Sequence, residues 1–143
     1  MKQHQKQGKK NRVGAYGEKI AAKYLKKHGF TVLEVNYLKK WGEIDLVARL
    51  SAQSGGTAMM KFIEVKTVSY ETKADLQAAI SRGTWRPEEN VHYSKVQRLN
   101  RAIESWIMEN KYDGEWEIDV IAVRIVPREK YATIKYIPNV ILN

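Results

Sequence analysis

The 143-residue chain contains no cysteine. That excludes disulfides and any thiolate zinc site, and it suits a reducing compartment. Histidine is nearly as scarce. The three, at positions 4, 28 and 92, show neither an HExxH arrangement nor a paired spacing, so a histidine zinc centre is not expected. No apolar run approaches the roughly 18–20 residues that span a bilayer. The basic N-terminus is followed by no apolar segment of the kind a secretory signal carries. The expectation is a cytoplasmic protein. Internal repeats are absent and no composition break marks a boundary, so one domain with one core is expected. Acids are in deficit: 16 Asp and Glu face 25 Lys and Arg, a formal net charge of +9. This balance points to a polyanionic partner, nucleic acid before an anionic membrane, or to solubility alone. The membrane is disfavoured because the basic N-terminal stretch lacks an amphipathic apolar face.

What is present reads as a single α/β domain, a mixed central sheet flanked by helices. Residues 1–12 carry five Lys or Arg and no acid, which predicts a flexible basic arm, along phosphates or merely solubilising, ahead of a domain at 13–143. Gly14 to Gly29 has a helical period, with His28 expected on the last carbonyls and Gly29 as the stop. Phe30 to Tyr37, Glu43 to Leu50 and Ala58 to Val68 read as strands, able to form an antiparallel meander. In the second, Ile44, Leu46 and Ala48 are expected on one face and Glu43, Asp45, Val47 and Arg49 on the other. In the third, Met60, Phe62, Glu64, Lys66 and Val68 share a side. A short helix at Asp75 to Ile80, a longer one from Ser94 with a Ser94/Gln97 capping box, and strands at Trp116 to Val126 and Tyr131 to Ile137 complete the order. Trp106 is expected in the core and Asp119 in an ion pair.

Glu43-Ile44-Asp45 and Glu64-Val65-Lys66 put charges inside apolar runs. An unpartnered buried carboxylate costs several kcal/mol or shifts its pKa, so these charges call for an explanation. One is a set of structural ion pairs. The other is hydrolysis of a phosphodiester, which needs the charge on the non-bridging oxygens neutralised and a hydroxide made near pH 7. Mg²⁺, or Mn²⁺, does both when held by one or two carboxylates. Asp45 and Glu64 are the candidate ligands, with the Val65 carbonyl as a third and Glu18, on the first helix, through a water. Lys66 is placed to orient the attacking water and to meet developing charge. Glu43 and Gln97 are expected behind these groups, supporting them. Lys39, Lys40 and Trp41, then Arg82 and Arg86 around Trp85, then Lys95 and Arg98 are candidate nucleic-acid contacts, pairing cations with aromatic rings; packed turns and plain surface are the competing readings.

Gly17-Glu18, Ala21-Ala22-Lys23-Tyr24-Leu25, Gly29, Asn36-Tyr37, Gly42-Glu43-Ile44-Asp45-Leu46-Val47-Ala48, Phe62-Ile63-Glu64-Val65-Lys66 and Lys95 with its helix resemble, in order, the YraN-like family. This is a bacterial family with a restriction-endonuclease-like fold, related to archaeal Holliday-junction resolvases. The resemblance runs from about Gly14 to Val123. It implies a PD-(D/E)xK nuclease core with Glu18, Asp45, Glu64 and Lys66 at the active-site positions. Two departures stand out. Val68 replaces an arginine frequent in the family, and Ile44-Asp45 stands where the wider superfamily has proline-aspartate. The implied activity is Mg²⁺-dependent cleavage of DNA, branched or repair-related. Cleavage of RNA, and a nucleic-acid-binding or scaffolding protein that keeps the fold without the activity, are the alternatives. Resolving a symmetric junction would call for a homodimer, though no interface is legible.

Overall fold

The computed structural model describes residues 2–51, 58–83 and 93–140, with side chains from Arg12 onward except that of Tyr93. Helix α1 spans Lys2–Lys27. Three strands follow, β1 (Phe30–Lys39), β2 (Gly42–Leu50) and β3 (Met59–Ser69), then helices α2 (Lys73–Arg82) and α3 (Tyr93–Asn110), strand β4 (Trp116–Val126), a 3₁₀ turn at Pro127–Glu129 and strand β5 (Tyr131–Ile137). The five strands form one mixed sheet in the order β1-β2-β3-β4-β5. β1, β2 and β3 are an antiparallel meander, β3 and β4 run parallel, and β5 returns antiparallel. Parallel neighbours need a crossover, and α2 and α3 lie in it.

Each face of the sheet has its own apolar core. On one side Ile44, Val47, Met60 and Phe62 pack against Leu99, Ala102, Ile103 and Trp106 of α3. On the other, Leu46, Ala48, Ile63, Ile121, Val123 and Ile125 pack against Ala21 and Leu25 of α1. Full burial of each such Leu, Ile or Phe contributes about 1.5–3 kcal/mol, so these stripes hold both helices to the sheet. His28 Nδ1–H donates to the Tyr24 carbonyl at 2.8 Å, as expected of a helix-end histidine. The helix then stops at Gly29, whose φ is +86°. α2 is longer than its period indicated because Thr72 caps it, accepting from the Asp75 N–H at 3.1 Å.

Three expectations change. The basic stretch at 2–12, read as a separate arm, is backbone of α1: Lys, Gln and Arg are good helix formers and no proline intervenes. And the strict alternation of β2 fails at its start. Ile44 joins the α3-side core whereas Leu46 and Ala48 join the α1-side core. The neighbouring strand is irregular at the same level. Asn36, opposite Asp45 in the register, has φ +55°, a left-handed conformation that asparagine tolerates better than most residues. The proposed Ser94 cap also moves inward by one residue, since α3 begins at Tyr93. Ser51–Thr57, read as a loop, lies mainly outside the described residues, as do Trp85 and Arg86.

Asp119, buried on β4 opposite Ile63, pairs with Lys61 at 3.2 Å and accepts from the Asn139 N–H at 2.9 Å and from the Tyr136 hydroxyl. Lys61 also meets Glu117 at 3.0 Å. Asp119 thus has the structural partner expected of it.

Candidate functional site

The β2–β3 ladder ends at Leu46 and Ile63. Asp45 and Glu64 occupy the next position in that register, and there the strands part. The Asp45 carboxylate turns into the gap: Oδ2 accepts the Val65 N–H at 2.8 Å, in place of a ladder carbonyl. An extended residue directs its N–H and C=O toward the same neighbour, so the Val65 carbonyl shares this gap. Glu64 is only 2% exposed, and its Oε1 pairs with Lys66 at 3.5 Å and with Lys95 of α3. Asp45 and Glu64 therefore stand side by side, with two ammonium groups on the second carboxylate.

Two glycines set the distance at which the helices approach. A Cβ on Gly17 would fall 1.8 Å from Thr67 Oγ1, so α1 crosses β3 closely just where it carries Glu18. A Cβ on Gly42 would fall 1.8 Å from the Arg98 carbonyl oxygen, so α3 lies against the start of β2 three residues after Lys95. The absence of a side chain at each point brings one charged residue, Glu18 or Lys95, to the gap between the strands.

The electrostatics follow from this crowding. Burial, then the charge of Glu64, push the Asp45 carboxyl up to about 8; the Val65 N–H opposes the rise and Glu18 adds to it. Glu18 is raised as well, by burial, Glu43 and Glu64, against Lys95. Desolvation lowers the Lys66 ammonium although Glu64 pulls the other way. Burial would also lower Lys95, but Glu64 and Asp45 together hold it above its ordinary value.

A divalent metal can be tested against these groups. Among the described residues no three or more of His, Cys, Asp and Glu are arranged to enclose an ion. Mg²⁺ does not need that: it keeps several waters and is held by one or two carboxylates. Two adjacent hard-oxygen donors, one of them raised by like charge and desolvation, fit such an open site and do not fit a closed structural one.

The structure thus brings Glu18, Asp45, Glu64, Val65 and Lys66 together, with Glu43 within electrostatic reach. Lys95, expected on the nucleic-acid surface, is part of the site itself. Gln97 and Arg98 are exposed on α3. Lys39 is tied to Glu109 at 3.1 Å and lies over the Tyr37 ring, while the half-exposed Trp41 donates from Nε1 to Ser105 Oγ at 2.6 Å. Lys40 and Arg82 are exposed. Gly17, Gly42 and Asn36 had no assigned role; their signal was their place beside Glu18, Glu43 and Tyr37.

No helix among the described residues is long and apolar enough to cross a membrane. The model of the uncharacterised protein family UPF0102 matches residues 17–123. A UPF0102 protein of Alkaliphilus oremlandii is 31% identical over 131 residues, covering 90% of this chain and 96% of the relative. One from Nocardia farcinica is 36% identical over 123 residues, 84% of this chain and 82% of its own, and one from Beutenbergia cavernae 37% over 115, 80% and 83%. The matched span holds Glu18, Asp45, Glu64, Lys66 and Lys95, and with it this chain belongs to the UPF0102 family, where its YraN-like motifs had pointed.

Proposed function

We propose that the protein is a metal-dependent endonuclease of the PD-(D/E)xK type that hydrolyses phosphodiester bonds in DNA. The observation that carries this reading is the Asp45–Val65 hydrogen bond, which fixes one carboxylate beside Glu64 at the point where the strands open. Asp45, Glu64 and the Val65 carbonyl would hold Mg²⁺ or Mn²⁺, with Glu18 reaching it through water. Bound there, the ion supplies positive charge for the non-bridging oxygens and acidifies a water. The chain's own groups do the rest. Lys66, half-buried and with its ammonium destabilised by desolvation, donates a hydrogen bond to the attacking water or the developing phosphorane charge. Lys95, paired with Glu64, holds that carboxylate in place. The +9 charge draws the polyanion in.

The test is cleavage of single-stranded, duplex, flap and four-way DNA, with matched RNA, in Mg²⁺ and in Mn²⁺. Asp45→Ala and Lys66→Ala should abolish cutting while binding largely persists. Wild-type protein that leaves all these substrates intact would sink the proposal.

One observation favours a second reading. Glu64 Oε1 already carries both ammonium groups, an arrangement that also suits a nucleic-acid-binding protein that keeps the fold without the reaction. That reading expects salt-sensitive binding that Asp45→Ala does not change, and no cleavage by the wild type.

A further inference from the structure

Lys19, Lys23 and Lys26 recur at i, i+4 and i+7 on α1, and Tyr16 precedes them by three. One line of the helix, about 15 Å long, therefore presents a phenol ring, 45% exposed, followed by three exposed ammonium groups. Together with Ala15, Ala22 and Val35 they line a groove of about 620 Å³ between α1 and the edge strand β1. The two alanines leave its floor low, and Val35, 57% exposed, forms an apolar wall. Among the described residues no carboxylate pairs with any of the three lysines. Like charges three and four apart destabilise a helix, so an anion along this line relieves a standing repulsion. Glu18 lines the same groove and feels the charges of Glu43 and Glu64, so the groove and the site share this residue.

We infer that this groove is a track for a single strand of nucleic acid, with phosphates on Lys19, Lys23 and Lys26 and a base stacked on Tyr16. A cationic line joined to an exposed ring is the combination that sequence-tolerant single-strand binding uses, and stacking on the ring requires an unpaired base. The inference rests on the nucleic-acid reading above and adds to it that the substrate carries a single-stranded flank beside the cleavage point. None of these residues is among the contacts anticipated at 39–41, 82–86 or 95–98.

The experiment is fluorescence anisotropy of the full chain with a labelled oligothymidine and with a duplex, in EDTA, over a salt series. The variant is Lys19→Gln/Lys23→Gln/Lys26→Gln, which removes charge but keeps good helix formers. Three lost contacts at about 0.7 each should flatten the log–log salt slope for the single strand by about 2, with little change for the duplex. Tyr16→Ala should weaken single-strand binding about tenfold, the lower part of the range for one stacked base, at unchanged slope. The melting temperature of the triple variant should equal or exceed that of the wild type; if it falls instead, Lys23→Gln alone, expected to flatten the slope by about 0.7, decides. An unchanged single-strand slope, an equal loss on duplex, or a loss confined to phosphatidylserine vesicles overturns the inference. Because the assay needs no cleavage, a chain that binds through this groove yet never cuts defeats the nuclease proposal and leaves the track standing.

Discussion

Replacing Asp45 with Asn should make the protein more stable above neutral pH. The Asn amide oxygen still accepts the Val65 N–H, so the hydrogen bond at 2.8 Å survives while the charge goes. The unfolded carboxyl releases its proton near 3.8 and the folded one at about 8. Between those values folding takes up a proton. The stability tied to this group is therefore full below about pH 4, falls as pH rises across the window and is gone above about 8. At 1.36 kcal/mol per unit of pKa the ceiling is about 5–6 kcal/mol. Asp45 is only partly buried and its neighbours relax, so about 1–3 kcal/mol is the working expectation, or roughly 3–9 °C in Tm for a chain of this size. The assay is thermal unfolding in EDTA at pH 5, 7 and 8.5. The variant should exceed the wild type at pH 8.5, and the difference should shrink toward pH 5. Adding Mg²⁺ should then narrow the difference. At ten times its Kd the ion would stabilise the wild type by about 1.4 kcal/mol and leave the variant nearly unmoved. A variant less stable than wild type at pH 8.5, or a difference independent of pH, would refute the electrostatic account of the site.

Other outcomes follow from the same geometry. Gly42→Ala drives a methyl into the Arg98 carbonyl and should cost about 2–3 kcal/mol in urea unfolding; it should also lower cleavage by displacing Lys95. Lys61→Met strips Asp119 of its cation and should cost about 3–5 kcal/mol, part of it recovered by adding Asp119→Asn. Lys95→Met removes an ammonium from Glu64 and should tighten Mn²⁺ binding roughly three- to tenfold by calorimetry while slowing cleavage, since the like charge opposes the metal and solvent and counterions screen most of that repulsion.

Most of the fold was legible because its signals are local. The periods of β4 and β5 located both strands to the residue. The parity of β3 put Glu64 and Lys66 on one side, and their ion pair at 3.5 Å agrees. What stayed hidden depends on contacts between distant segments. Lys95 read as a surface cation because nothing in its own stretch reveals that α3 crosses back over the start of β2. Ile44 read as a companion of Leu46 because alternation assumes an undisturbed strand, and the neighbouring β1 is irregular at the same level, at Asn36. Gly17 and Gly42 read as ordinary glycines because close approach is a property of the partner surface.

The parallel β3–β4 pair has a consequence for how the protein is made. Glu18, Asp45, Glu64 and Lys66 all lie in the first 69 residues, in a helix and a meander whose contacts are short in sequence. Lys95 reaches Glu64 only when α3 docks, and β4 cannot pair with β3 until a crossover of more than forty residues closes. Non-local pairings of this kind form late. On a ribosome the acidic cluster would therefore emerge and assemble before its second cation exists. Closing the crossover brings β4 to β3 and the second cation to the cluster, so a chain cut short before α3 would lack a charge that offsets the mutual repulsion of its carboxylates.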